Sequence, residues 1–177
     1  MRDRMVAIIG GIPGVGKTTV LEKMGLKVVN FGTVMLELSG LDNRDEIRKL
    51  PVEKQKDLQK KAAEKISSMG RVLVDTHYSI KTGKGYLPGI PPWVAERIEI
   101  EDIIVVEADE LNIIERRARD MSRSRDRELE GIREHQLVNR GFAVALAQIK
   151  GAVLSIVKNE EGKADECAQR IKEIMEG

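Results

Sequence analysis

A layered α/β fold built on a parallel sheet is what this sequence predicts, and two observations carry the prediction. A short, β-branched apolar run, Met5 to Ile9, passes directly into Gly11-Ile12-Pro13-Gly14-Val15-Gly16-Lys17-Thr18. Along the rest of the 177 residues, similar runs alternate with stretches of helical periodicity, the pattern of strands joined by crossover helices. Strands are expected at Met5–Ile9, Lys27–Val29, Arg71–Val74, Ile103–Val106 and Ala152–Val157. Helices are expected at Lys17–Met24, about Thr33–Leu38, Arg44–Leu50, Val52–Ser68, Leu111–Asp120, Leu129–Lys150 and Lys163–Met175. The first helix places Val20, Leu21 and Met24 at helical spacing and stops at Gly25, a natural cap. Asn43 with Glu46 resembles a capping box, which starts the next helix but one at Arg44. The helix from Val52 mixes lysines with glutamates and reads as a solvated face. Two stretches exceed simple crossovers: Asn30 to Met69, and a loop from Thr76 to Pro92 rich in Gly, Pro and Thr. Such excursions are where substrates are usually gripped.

The chemistry starts at Gly11–Thr18, which reads G-x-x-x-x-G-K-T between a strand and a helix. That context makes an anion site, because amides at the helix start lack intrahelical partners and the macrodipole adds positive potential. Lys17 then reaches the β/γ-phosphates of a nucleotide, and the Thr18 hydroxyl sits on Mg²⁺. The strand Arg71-Val72-Leu73-Val74 ends in Asp75. A carboxylate there either orients Mg²⁺ or its waters opposite Thr18, or is an ordinary turn residue. His77, in a polar loop, is either structural or in contact with substrate.

Six arginines and no lysine fall between Arg116 and Arg127. The choice matters, since a guanidinium fork grips phosphate oxygens in fixed geometry whereas an ammonium serves solubility. Arg116, Arg119 and Arg123 stand at i, i+3 and i+7, one face of a helix. The alternative is a salt-bridged surface shared with Asp120 and Asp126. Arg140 lies amid Val138, Phe142 and Leu146, so it needs a snorkelling geometry or an anionic partner. Arg44 and Arg48 share a helical face and suit a second phosphate, or else pair with Asp45 and Glu46.

Bulk properties exclude other classes. Charged residues make up 33% of the chain but leave a net charge of +1, too little to draw nucleic acid or an anionic membrane. Aromatics at 3% argue against base-stacking platforms. The single cysteine, Cys167, forms no internal disulfide or zinc cluster and reads as a small core residue. No signal peptide or membrane span is expected, so the chain reads as soluble and intracellular.

Taken together, the residues resemble the archaeal-type adenylate kinases. The resemblance rests on Gly11–Thr19, on Asn30-Phe31-Gly32 with Met35-Leu36, and on Asn43 to Leu50. It continues through Glu53-Lys54-Gln55, Val74-Asp75-Thr76-His77, Thr82 with Gly85 to Pro91, and Arg116 with Arg119-Asp120 and Arg123-Ser124-Arg125. It implies a three-layer P-loop kinase fold, one domain over residues 1–177, with a central five-stranded parallel sheet flanked by helices. An acceptor-binding segment at about residues 30–69 and a short lid at about 121–127 come with it. The implied reaction is reversible transfer of the γ-phosphoryl group from MgATP to AMP, giving two ADP, in a cytoplasmic and often trimeric enzyme. In these terms Gly11, Ile12, Pro13, Gly14, Val15, Gly16, Lys17, Thr18 and Thr19 hold the donor, and Thr18 and Asp75 face the metal. Arg44, Arg48, His77 and Thr82 hold the acceptor; Lys17, Arg116, Arg119, Arg123, Arg125 and Arg140 serve catalysis. The chain departs from the pattern on the acceptor side, with Thr33 where relatives often carry Asp and Lys81 where arginine is common. Two other functions fit a P-loop: a kinase of a small hydroxyl acceptor with Asp75 as base, and a nucleotide-switched ATPase that acts in assembly.

Overall fold

The computed structural model describes residues 6–120 and 128–177. In chain order its elements are β1 (Val6–Gly10), α1 (Lys17–Met24), β2 (Val28–Asn30), α2 (Phe31–Ser39), α3 (Arg44–Lys49) and α4 (Val52–Ser67). Next come β3 (Val72–Thr76), β4 (Ser79–Thr82), β5 (Gly85–Pro88), α5 (Pro92–Ala95) and β6 (Ile100–Glu107). The chain closes with α6 (Glu110–Arg119), α7 (Leu129–Lys150), β7 (Val153–Lys158) and α8 (Ala164–Glu176).

The expected central sheet is present: five parallel strands in the order β2-β3-β1-β6-β7. Every residue of β1 is buried, as its unbroken apolar run requires of a strand covered on both faces. The period of two then sorts side chains into two cores. Val6 and Ile8 pack with Val72, Val74, Ile103 and Val105, beneath α2, α4 and α7. Ala7 and Ile9 pack with Leu73, Ile104 and Val106 on the opposite face, with Val20 and Met24 of α1 and Ile171 of α8. Cys167 belongs to this second core, and burial pushes its thiol up to about 11, which makes it inert.

Several strands run further than the apolar pattern indicates. β2 extends to Asn30 and β3 to Thr76 because ladder pairing is indifferent to side-chain polarity: Asn30 stands beside Asp75, and Gly10 beside Thr76. β6 starts at Ile100, three residues before its apolar run, since Glu101 and Asp102 interrupt the pattern without interrupting the strand. α2 begins at Phe31 because Asn30 serves as its cap, its side-chain oxygen accepting from Thr33 N–H at 3.0 Å.

The stretch Thr76 to Pro92, expected as a loop, is instead an antiparallel hairpin of β4 and β5 followed by α5. Gly83-Lys84 is its two-residue connection, a hairpin signal that the surrounding Gly and Pro residues obscured. The hairpin is pinned to α7 by buried polar groups: Ser79 Oγ donates to Asn139 Oδ1 at 2.9 Å and lies 3.1 Å from His135 Nε2. Burial, aided by Arg117 and Lys81, pushes the His135 pKa down to about 4 and keeps the ring neutral. Tyr78, fully buried, sets its hydroxyl 3.0 Å from the carbonyls of both Ile8 and Ile104, tying the hairpin's root to the sheet. Gly89 N–H donates to Tyr78 O at 2.8 Å, and a Cβ on Gly89 would run into the His77 carbonyl. Among the described residues, no helix is long and apolar enough to cross a membrane.

Candidate active site

The carboxyl ends of β1, β2, β3 and β6 meet where the strand order reverses direction from β1, the usual crevice of an open parallel sheet. A cleft of about 870 Å³ opens there. Its floor is the glycine-rich loop: Gly11, Ile12, Pro13, Gly14, Gly16, Lys17, Thr18 and Thr19 all line it. Gly16 has φ 80°, a left-handed conformation, and a Cβ there would stand 2.5 Å from Asn159 Nδ2. The first intrahelical bond of α1 runs from Val20 N–H to Gly16 O. The amides of Lys17, Thr18 and Thr19 therefore lie outside the helix's own ladder.

The loop's carbonyls are tied back into the protein. Arg117 Nε donates to Pro13 O at 2.8 Å; Arg116 Nη1 and Asn159 Nδ2 donate to Val15 O at 3.0 and 2.8 Å. Val15 itself is buried, and what it lends the site is that carbonyl. Holding the carbonyls inward leaves the loop's amide side for an anion.

Lys17 is nearly buried and bonds Asp75 Oδ1, with the Thr76 carbonyl 3.4 Å away. The other Asp75 oxygen accepts from Asn30 Nδ2 at 2.9 Å. The two strand ends β2 and β3 thus present Asn30 and Asp75 as neighbours directly opposite the P-loop lysine. His77 faces the same cleft. Enclosure by its walls, then the Lys17 charge, lowers the His77 pKa, against a smaller raising effect of Asp75 and a backbone bond to Gly11. His77 is therefore neutral at pH 7.

Arg44 and Arg48 share α3 but part company. Arg48 reaches the cleft and pairs with Asp45 at 2.6 Å. Arg44 turns back over Gly32, donating through Nη2 to Asn30 Oδ1 at 2.7 Å and to Thr33 Oγ1 at 2.9 Å. Half of the expected capping box forms: Asn43 Oδ1 accepts from Glu46 N–H at 3.0 Å, while the Glu46 carboxylate reaches one residue further back and accepts from Asp42 N–H at 3.1 Å.

Arg116 and Arg119 both line the opposite wall, at the end of α6. Arg116 is committed to Val15 O, to Asn159 O at 3.1 Å and to Glu161. Arg119 is more exposed and shares Glu161, at 3.4 Å, with Glu115 at 3.5 Å. Arg116 and Arg119 share the last turn of α6, which ends at Arg119 with Asp120 at ψ 85°. Arg123, Arg125 and the expected lid at 121–127 lie outside the described residues.

Two further candidates are not brought to the cleft. Arg140 finds its anionic partner within the chain: Nε donates to Glu107 Oε1 at 2.8 Å and Nη2 to Oε2, a bidentate pair that also compensates the burial of Glu107. Thr82 shapes the hairpin turn, its hydroxyl donating to Gly85 O and accepting from Lys84 N–H. Other wall residues went unforeseen, notably Asn30, Asn159 and Glu161. The rule that ligands sit beyond strand carboxyl ends would have pointed to the turn after β7.

The chain is similar over nearly its whole length to curated proteins. An adenylate kinase of Thermoplasma acidophilum is 48% identical, with 97% of this chain and 98% of that protein covered. An adenylate kinase of Methanocaldococcus jannaschii is 44% identical, with 99% and 100% covered. A family model described as an AAA domain matches residues 10–135. Among solved structures, a shikimate kinase from Acinetobacter baumannii in complex with shikimate has a TM-score of 0.61 at 16% identity, covering 97% of this chain and 92% of that one. A shikimate kinase from Aquifex aeolicus has a TM-score of 0.57 at 14% identity, with 98% and 97% covered. These structural likenesses speak to the fold alone.

Proposed function

We infer the function from one premise: this chain belongs to the adenylate kinase family. It transfers the γ-phosphoryl group of ATP reversibly to AMP, giving two ADP. The observation that best supports this reading is that one cleft is lined by the P-loop with Lys17 and, across it, by Arg48 and His77. Two phosphate-binding flanks facing one space are what a donor and an acceptor nucleotide require.

The acceptor of such a kinase is already an anionic phosphate oxygen, so the site has no need of a strong base. A neutral His77 agrees with that. The remaining task is to bring two polyanions together and neutralise the migrating group. The loop amides and Lys17 hold the donor phosphates. To do so Lys17 exchanges Asp75 for phosphate oxygens, which frees one oxygen of that carboxylate. Mg²⁺ enters with ATP as part of the substrate. Among the described residues no group of three His, Cys, Asp or Glu could hold a metal alone, which suits a small octahedral ion that keeps phosphate and water ligands. Thr18 and Asp75 are the protein groups that would complete its shell. Arg44 and Arg48, within the acceptor segment of about residues 30–69, hold the AMP phosphate. Arg119, with Arg123 and Arg125 of a lid at about 121–127, closes over the transferring group and excludes water. On the same reading the enzyme is cytoplasmic and works as a single-domain homotrimer. Exposed Leu137, Val144 and Ile149 on α7 and the free edge β7 with Val153 and Ile156 support assembly.

The test is purified protein with MgATP and a panel of monophosphates, both products being quantified. ADP formation that requires AMP and stops when a chelator removes Mg²⁺ is expected. ATP turnover indifferent to AMP, with salt-sensitive RNA binding, would instead indicate an assembly ATPase; turnover driven by a small hydroxyl compound would indicate another acceptor class.

Arg48→Ala should raise the KM for AMP much more than that for ATP, about tenfold or more, the loss expected for a charge-assisted bond of about 1.5–3 kcal/mol. Arg48 is exposed and, among the described residues, is held by an exposed Asp45, so the thermal midpoint should hardly move. Movement of the ATP constant alone would mean the two sites are assigned the wrong way round.

A further inference from the structure

The donor lysine and the acceptor arginine Arg44 are joined by one unbroken line of side-chain hydrogen bonds, and Asn30 is its centre. Lys17 Nζ bonds Asp75 Oδ1, and Asp75 Oδ2 accepts from Asn30 Nδ2 at 2.9 Å. On its other side the same amide accepts through Oδ1 from Arg44 Nη2 at 2.7 Å. That oxygen also caps α2 through Thr33 N–H at 3.0 Å. The register explains the arrangement: Asn30 and Asp75 end adjacent parallel strands as direct neighbours. A residue chosen only to cap a helix needs an acceptor and no donor. The use of both ends of the amide, each on a charged group, goes beyond capping. Among the described residues, Arg44 is held by the neutral oxygens of Asn30 and Thr33, so its charge stays available to a phosphate.

We propose that Asn30 is a positioning residue that couples the two nucleotide sites, by holding Asp75 and Arg44 in one frame. The inference rests on the adenylate kinase reading above. When the donor triphosphate draws Lys17 away from Asp75, the oxygen so freed is available to the donor's metal shell while the other stays on the Asn30 amide. A filled donor site therefore fixes the carboxylate, and through the bonds in series it fixes Asn30 and holds Arg44 more firmly. AMP then meets an arginine already ordered and has less ordering to supply, which is positive coupling between donor and acceptor.

The experiment measures AMP binding by calorimetry with the site empty and with a magnesium-bound, non-hydrolysable ATP analogue in place. The wild-type protein is compared with Asn30→Ser and Asn30→Asp. Serine is as good a cap but spans neither to Asp75 nor to Arg44; aspartate keeps the cap, turns the contact to Arg44 into an ion pair and replaces the donor to Asp75 with a carboxylate that repels it. In wild type the analogue should tighten AMP binding about fivefold or more. In both variants this factor should collapse towards one. kcat should fall on the order of tenfold to a hundredfold, as misplacement of reacting groups costs, while the KM for ATP changes little. The thermal midpoint of Asn30→Ser should stay within about 3 °C of wild type, because the cap is retained. If one variant does not fold, the other still decides. Absence of coupling in wild type, or coupling and kcat preserved in the variants, overturns the assignment of Asn30. A wild-type protein that makes no ADP from AMP and ATP would overturn the functional reading itself, and the coupling with it.

Discussion

Lys17→Ala lowers ADP formation from ATP and AMP by at least about a hundredfold, the loss expected when one electrostatic donor to a transferring group is removed. The folded chain survives the change. Lys17 sits where the helix N-terminus and the loop amides converge, and its ammonium stands inside the cleft against the end of β3. Its removal has two consequences that oppose each other in stability. Asp75 loses a cationic partner in a largely buried setting, which costs about 1–3 kcal/mol where a charged group is left underserved. Yet Asp75 keeps Asn30 and some access to water, and a buried lysine no longer needs desolvating. The net change should therefore be modest, and far-UV circular dichroism should match wild type. A coupled assay for ADP and a thermal melt give both numbers. Turnover near the native rate would remove the P-loop from the mechanism.

The contrast between Lys17 and Arg140 shows how far the site was legible in the sequence. Lys17 belongs to a local pattern: strand, glycine-rich turn and helix start are contiguous, so spacing alone places its ammonium. The sheet was legible for the same reason, since buried strands announce themselves as short β-branched runs such as Val6–Ile9. Arg140 belongs to no local pattern. Its apolar neighbours on α7 call for an anionic partner, but whether that partner is a ligand or Glu107 depends on β6 and α7 packing side by side, and no spacing encodes that. Arg44 and Arg48 differ from each other for a similar reason. A shared helical face follows from their spacing, yet Arg44 is drawn aside by Asn30 and Thr33, which arrive from the end of β2. The hairpin within Thr76–Pro92 was hidden because its strands are mostly exposed and carry no apolar alternation. Its anchors are Ser79 against Asn139 and His135, contacts between residues far apart in the chain.

Arg119→Lys should lower kcat on the order of tenfold to a thousandfold while leaving stability almost untouched, and this separates it from its neighbour Arg116. Both arginines line the cleft, but they are held differently. Arg116 has 17% of its side chain exposed and spends its guanidinium on two backbone carbonyls and Glu161. Arg119 is 63% exposed, and its partners Glu115 and Glu161 stand at 3.5 and 3.4 Å. Exposed ion pairs of that kind contribute about 0–1 kcal/mol, so little binds Arg119 to its present position. A phosphoryl group in flight, dense in charge and shielded from water, offers a guanidinium far stronger bonds than Glu161 does. Lysine preserves the charge but lacks the planar fork, so a loss in kcat on this substitution isolates geometry from charge. Arg116→Lys, by comparison, should loosen the carbonyl of Val15 and lower the thermal midpoint as well as kcat, because a single ammonium cannot span Val15, Asn159 and Glu161 together. Steady-state kinetics and thermal melts on the two variants decide the matter. Unchanged kcat in Arg119→Lys would mean that this arginine only coats the rim of the cleft, and the neutralising charge would then have to come from the opposite wall.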